Sequence, residues 1–277
     1  MRSVLSIIAA LTFFSVLSLP SRASPMSDYK ALIIGNSAYR FTSPLKNPVN
    51  DAVSLAAALE RLGFRVTRGF DLSSAAMDFQ ISEFAESLGK GAKVVFFYYA
   101  GHGIQIDGRN FLVPVDFDPS EKSPLGAGLV GIDKVLNKLT GGQSVRIVIL
   151  DACRNNPLAS NLSAEIKSGR YMTISGDRGI QTIGKGLAEI KGSVGTLIAY
   201  ATQPGNVAAD GDGDHSPFAD GLLQYIESPG VEIRDILTQV RKHVIKKTLN
   251  EQIPWDHSSL VERVYLKHKL ERSAPPP

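Results

Sequence analysis

Three segments of this 277-residue chain are apolar almost without a break: residues 93–99, 145–150 and 196–201. A strand with one wet face alternates apolar and polar side chains, and these do not alternate. They predict strands of a parallel sheet covered on both faces. The covering layers are also visible. Residues 29–34 form a shorter apolar run ending at Gly35, residues 51–62 an alanine-rich helix stopped by Gly63, and residues 64–67 a returning strand, together a βαβ unit. Met77, Ile81, Phe84 and Leu88 recur at helical spacing within a helix over 73–88, and a short helix fits 132–139. Ser216 and Pro217 open another helix as cap and first-turn residues, and Ile233, Ile236, Val240 and Val244 mark the last. Strands alternating with helices predict one α/β domain, a three-layer α/β/α sandwich around a mostly parallel central sheet. A hydrophobic content of 43% is enough to fill its core.

The first residues set the expected compartment. Met1 and Arg2 precede an apolar stretch over 4–19, and Ser21 and Ala23 supply small residues before a cleavage point, which predicts a secretory signal peptide over residues 1–23. The stretch falls short of the roughly 20 residues that span a bilayer, and Pro20 interrupts it. The expected product is exported, periplasmic or secreted, without membrane attachment after cleavage. Its domain is expected over 24–272, with a disordered Pro-rich tail over 273–277. Lys and Arg total 30 against 27 acidic residues; losing Arg2 and Arg22 leaves 28 against 27, a formal +1. Such a balance gives no reason to expect a nucleic-acid partner.

The chain has one cysteine, Cys153. It cannot close an internal disulfide or hold a structural zinc by itself, and an unpaired thiol in an oxidising compartment is unusual. The run over 93–99 leads into Ala100-Gly101-His102-Gly103, and the run over 145–150 into Asp151-Ala152-Cys153-Arg154. In an open α/β sheet, ligands bind beyond the carboxyl ends of the strands. A histidine within hydrogen-bond reach there can draw a thiol toward thiolate. Glycines on both sides of His102 let the backbone turn, so that the N–H of Gly103, with that of Cys153, can form a two-donor oxyanion hole. Either residue alone reads as well as a turn histidine or a buried strand-end thiol. The pair at equivalent strand ends reads as a nucleophile and its base.

These residues also carry a resemblance. Tyr98-Tyr99-Ala100-Gly101-His102-Gly103 and Asp151-Ala152-Cys153-Arg154 resemble the histidine and cysteine boxes of caspase-like peptidases, the group of caspases, paracaspases and metacaspases, in which the histidine precedes the cysteine by about 50 residues. Ala31-Leu32-Ile33-Ile34-Gly35-Asn36, Asn50-Asp51-Ala52 and Ala199-Tyr200-Ala201-Thr202 are similar to the first strand, the following helix start and the post-linker strand of that group, so the resemblance runs from about Tyr29 to Leu266. It implies a caspase-like fold and a cysteine endopeptidase working through a His102–Cys153 dyad, with no third residue assigned. Caspases carry a glutamine two residues before the nucleophile and cleave after aspartate; this chain has Asp151 there, as metacaspases do, which cleave after Arg or Lys. By the same resemblance Asp51 and Asp210 match two more acidic positions of the substrate pocket. Three carboxylates in one pocket would favour a guanidinium or ammonium and repel an anionic group. Asp51 reads equally as a helix N-cap and Asp210 as a turn former. Ala100 stands where many metacaspases have serine and Asn155 where caspases have glycine, departures that bear on the fine shape of the pocket.

Residues 158–191 are polar, rich in Gly and Ser and long for a connection in a compact domain, so they are expected to be functional or mobile. They offer Lys167, Arg170, Arg178 and Lys185 to a basic-specific enzyme, which predicts self-cleavage. Asp210, Asp212 and Asp214 alternate as in a calcium loop, but His215 and Gly221 stand where that loop needs Gly and Glu. Asp116 and Asp118 leave calcium open beside a plain solvated loop; no other cofactor is expected and no metal ligand is assigned. His243, near Arg241, Lys242, Lys246 and Lys247, reads as part of a solvated basic face, and Trp255 as a packing anchor. The expected partners are peptides or proteins with basic residues. Two alternatives share the scaffold: a module that has lost catalysis and only binds basic peptides or protein partners, and another thiol hydrolase such as an amidase.

Overall fold

A computed structural model describes residues 28–89, 91–120, 126–139, 144–152, 183–184, 186–190 and 192–269. The signal peptide expected over 1–23, Cys153, most of 158–191 and the tail expected over 273–277 lie outside the described residues. In chain order the first half contains β1 (Tyr29–Gly35), α1 (Pro48–Arg61), β2 (Arg65–Phe70), α2 (Ser74–Leu88), β3 (Val94–Gly101), β4 (Gly103–Ile106) and β5 (Arg109–Leu112). The rest contains β6 (Val130–Gly131), α3 (Ile132–Lys138), β7 (Val145–Ala152), β8 (Ile183–Gly184), β9 (Thr196–Tyr200), α4 (Pro217–Tyr225), α5 (Ile233–Lys247) and β10 (Trp255–Ser258).

Six strands form the central sheet in the order β10-β9-β7-β3-β1-β2, parallel except for β10 on the edge. The unbroken apolar runs explain it. Every residue of β3 is buried, and successive side chains leave on opposite faces. Phe96, Tyr98, Ile147 and Ile149 join one core with Leu55 and Leu59 of α1, Phe218 and Leu222 of α4, and Val240 of α5. Phe97, Tyr99, Val148 and Leu150 join the other, with Met77, Ile81 and Phe84 of α2 and Val135 of α3. Each fully buried side chain of this size contributes about 1.5–3 kcal/mol. Arg146, the polar residue inside the run of β7, is absorbed by the strand beside it: its Nε donates to Thr196 Oγ1 at 3.0 Å and its Nη2 to the Val194 carbonyl at 2.5 Å.

Several local expectations change. The N-cap of α1 is Asn47, with Pro48 in the first turn, so Asp51 lies inside the helix and not at its cap. Beside the central sheet lies a second, antiparallel one, β6-β5-β4-β8, closed over Tyr39, Ile104, Ile106, Val113, Val115 and Phe117. The end of the 158–191 segment is structured, with Ile183 and Gly184 forming β8 and Leu187 and Ile190 buried in the main core. Trp255, expected to anchor packing, is 45% exposed at the start of the edge strand β10.

The topology positions a site. The chain leaves β1 through α1 to β2 on one side, then returns through α2 to β3 on the other side of β1. Loops beyond the carboxyl ends of β1 and β3 therefore diverge, which opens a crevice at that end of the sheet.

Candidate active site

His102 stands between β3 and β4, where the backbone turns. Gly101 has φ +153°, and a Cβ there would lie 2.6 Å from Tyr39 Oη and 2.7 Å from Tyr99 Oη, so only glycine fits between these hydroxyls. The two tyrosines hold the histidine backbone: its N–H donates to Tyr39 Oη at 2.7 Å, and Tyr99 Oη donates to its carbonyl at 2.8 Å. The Tyr39 ring also lies against the imidazole, with centroids 4.4 Å apart. The imidazole is fully buried, and its Nε2 is 2.8 Å from the Ser43 carbonyl. A carbonyl only accepts, so Nε2 carries the hydrogen and, in the neutral ring, Nδ1 is the basic nitrogen. Ser43 thus orients the ring, the partner left unassigned in the sequence.

The register pairs Gly101 of β3 with Ala152 of β7. His102 and Cys153 are the residues that follow these two in the chain; Cys153 itself lies outside the described residues. Gly103 opens β4 opposite Leu112. The Val113 N–H donates to the His102 carbonyl, whereas the His102 N–H goes to Tyr39, so this rung of the antiparallel ladder is half-made. Because rungs alternate, the Gly103 N–H is directed away from β5. A Cβ on Gly103 would come within 3.1 Å of Ala152 Cβ, so its backbone runs close beside the end of β7.

Asp151, next to last in β7, is fully buried. Its Oδ2 accepts from Ser216 Oγ at 2.6 Å and from Tyr98 Oη at 3.3 Å. Asp51 on α1 is fully buried too, with Oδ1 accepting from the Ser216 N–H at 3.2 Å and lying 2.9 Å from His215 Nδ1. The two carboxylates therefore meet at one residue, Ser216, the N-cap of α4. Asp210 is engaged elsewhere: its Oδ2 accepts from the Lys46 N–H at 2.7 Å, and its carbonyl accepts from Asn47 Nδ2 at 2.6 Å, just ahead of α1. It lines a cleft of about 770 Å³ whose wall includes Leu45 and Pro217, the latter adjacent to Ser216.

Asp116 accepts from the Ser74 N–H at the start of α2, and Asp118 from the N–H and hydroxyl of Ser120 within its own turn. Among the described residues no three His, Cys, Asp or Glu side chains gather as a metal site, and no helix is long and apolar enough to cross a membrane.

Sequence reading missed Tyr39, Ser43, His215 and the bridging role of Ser216. Ser43 acts through a carbonyl that any residue would supply, so no side chain signals it. Ser216 was visible only as a cap.

A mostly parallel α/β sandwich with a ring-anchored histidine at one strand end, and a neighbouring strand running into a cysteine, is the scaffold of a cysteine peptidase. The chain belongs to the caspase-domain family, whose profile matches residues 28–265. It is 33% identical over 170 residues to the human protein called mucosa-associated lymphoid tissue lymphoma translocation protein 1, a match covering 58% of this chain and 20% of that one. It is 32% identical over 170 residues to the mouse homologue, with the same coverage. The matched region is thus about a fifth of the length of these relatives.

Proposed function

We propose that the chain is an exported cysteine endopeptidase that cleaves after Arg or Lys through His102 and Cys153. The observation that carries the basic preference is the pair Asp51 and Asp151, both buried and both held by Ser216 at the carboxyl ends of the strands. At about 4 Å and an effective dielectric near 20, each carboxylate attracts a cationic side chain, or repels an anionic one, by roughly 4 kcal/mol before desolvation. Asp210 adds negative charge to a cleft whose wall includes Pro217, next in the chain to Ser216.

In the proposed reaction, His102 Nδ1 takes the Cys153 thiol proton, and the thiolate attacks the carbonyl carbon of the scissile bond. The Gly103 and Cys153 amides receive the oxyanion. Imidazolium returns its proton to the amine as the C–N bond breaks, leaving a thioester. His102 then deprotonates a water that attacks the thioester, and the sulfur leaves. The Ser43 carbonyl, bonded to Nε2–H, stabilises the imidazolium in between. The dyad needs no metal for these steps. Cleavage at Lys167, Arg170, Arg178 or Lys185 would act on the chain itself.

The test is a panel of fluorogenic peptides ending in Arg, Lys and Asp, assayed with wild type and Cys153→Ala, with and without a calcium chelator. Wild type is expected to cleave the Arg and Lys peptides and the variant none. Equal signal from both proteins, or a preference for Asp, would overturn the reading. Titration with an Arg chloromethyl ketone separates the alternatives: covalent labelling of Cys153 is expected, whereas reversible binding alone marks a binding module.

A further inference from the structure

We infer that Ser216 is a positioning residue that sets the preference for a basic side chain by clamping Asp51 and Asp151 into one pair; this rests on the reading proposed above. Ser216 is fully buried. Its hydroxyl accepts from the Ala219 N–H at 2.9 Å, the ordinary duty of an N-cap. A hydroxyl has one hydrogen, and the acceptor 2.6 Å away is Asp151 Oδ2, so that hydrogen is committed to the carboxylate. The backbone N–H of the same residue reaches Asp51 Oδ1 at 3.2 Å and Oδ2 at 3.4 Å.

One residue thus donates to two acids that come from α1 and β7, and its donors come from the N-terminal end of α4, where the helix dipole also favours negative charge. Pro217 at the first turn fixes the backbone that aims the Ser216 N–H. His215 on Asp51 and Tyr98 on Asp151 hold the outer sides of the pair. Without the hydroxyl, Asp151 loses the 2.6 Å bond that ties it to the start of α4. The two buried acids are then no longer joined through one residue, and their charges are held less firmly in one arrangement. Arginine recognition depends on such an arrangement, because its planar fork bonds fixed acceptors and gains little from a mobile charge.

The discriminating experiment compares peptides ending in arginine and in citrulline, which has nearly the same shape without the charge. Ser216→Ala is paired with Ser216→Gly, because glycine is a good N-cap and keeps the amide on Asp51 while removing only the hydroxyl. Both variants are expected to lose roughly tenfold in kcat/KM for the arginine peptide, mostly through KM. The citrulline peptide should change little, so the ratio between the two peptides falls. Ser216→Thr, which restores the hydroxyl, should recover the ratio. A cap with no further role would lower the thermal midpoint and depress both peptides equally; that result, or full retention of the arginine preference in Ser216→Gly, overturns the inference alone. Absence of any arginine preference in the wild type would instead sink the functional reading and this inference with it.

Discussion

His102 is held by its backbone more than by its ring. Its N–H has Tyr39 Oη as acceptor in a fully buried setting, and an unsatisfied buried N–H costs about 1–3 kcal/mol. Tyr39→Phe removes that acceptor while keeping the ring against the imidazole, so the variant should unfold at lower urea, by a margin within that range, and lose turnover. An unchanged urea midpoint would show that the amide finds another acceptor. Gly101→Ala attacks the same cage from the other side, because its Cβ would press on both tyrosine hydroxyls; the expected result is a cost of about 1–3 kcal/mol, read in the same denaturation series. The histidine and cysteine boxes were legible because their residue types are chemically rare in that pattern. Tyr39 was not, since nothing in residues 36–47 marks a tyrosine that folds back onto His102. Ser43 was invisible in principle, because its contribution is a carbonyl.

At the scale of elements, α4 and α5 are joined at Asp220, which receives Lys247 Nζ at 2.6 Å and lies 2.8 Å from His243 Nε2. Partial burial alone would push the Asp220 carboxyl up, but the hydrogen bonds from Lys247 and His243, with their charges, outweigh it and hold it below its ordinary value. The folded protein thus binds fewer protons at this site than the unfolded chain does. The resulting stabilisation is present above the ordinary carboxyl value of 3.8 and is lost as pH falls through the depressed one. Asp220→Asn should lower the thermal midpoint at pH 7 by an amount corresponding to no more than about 1 kcal/mol, as partly exposed pairs do. The gap should close under more acidic conditions; a gap that widens toward acid contradicts the assignment. His243 is thus part of a helix-to-helix contact, where the sequence showed only a basic face. The helices themselves were readable by periodicity, as Met77, Ile81, Phe84 and Leu88 show in α2. The second sheet was not, because β4, β5, β6 and β8 are two to four residues long and too short to display a period.

For the whole molecule, the central strands are the most deeply buried and the edges the least. The residues of β3 and β9 are buried throughout, whereas all of β10 is exposed or half-buried. Amide hydrogen exchange should therefore be slowest in β1, β3 and β7 and markedly faster in β10 and β8. Uniform protection across both sheets would overturn this ranking. The sheet's interior was legible because doubly covered strands must be apolar throughout; its edge was not, since Trp-Asp-His-Ser carries no apolar run. A last consequence concerns time. Ser216 lies 165 residues from Asp51 and 65 from Asp151 along the chain. A ribosome finishes His102, Cys153 and both acids well before it reaches the residue that joins the acids. Loop closure over such a distance is also slow during folding. On the reading proposed above, the residue that joins the acids is thus the last of these groups to be made, and the grip it provides forms only when the domain is nearly complete.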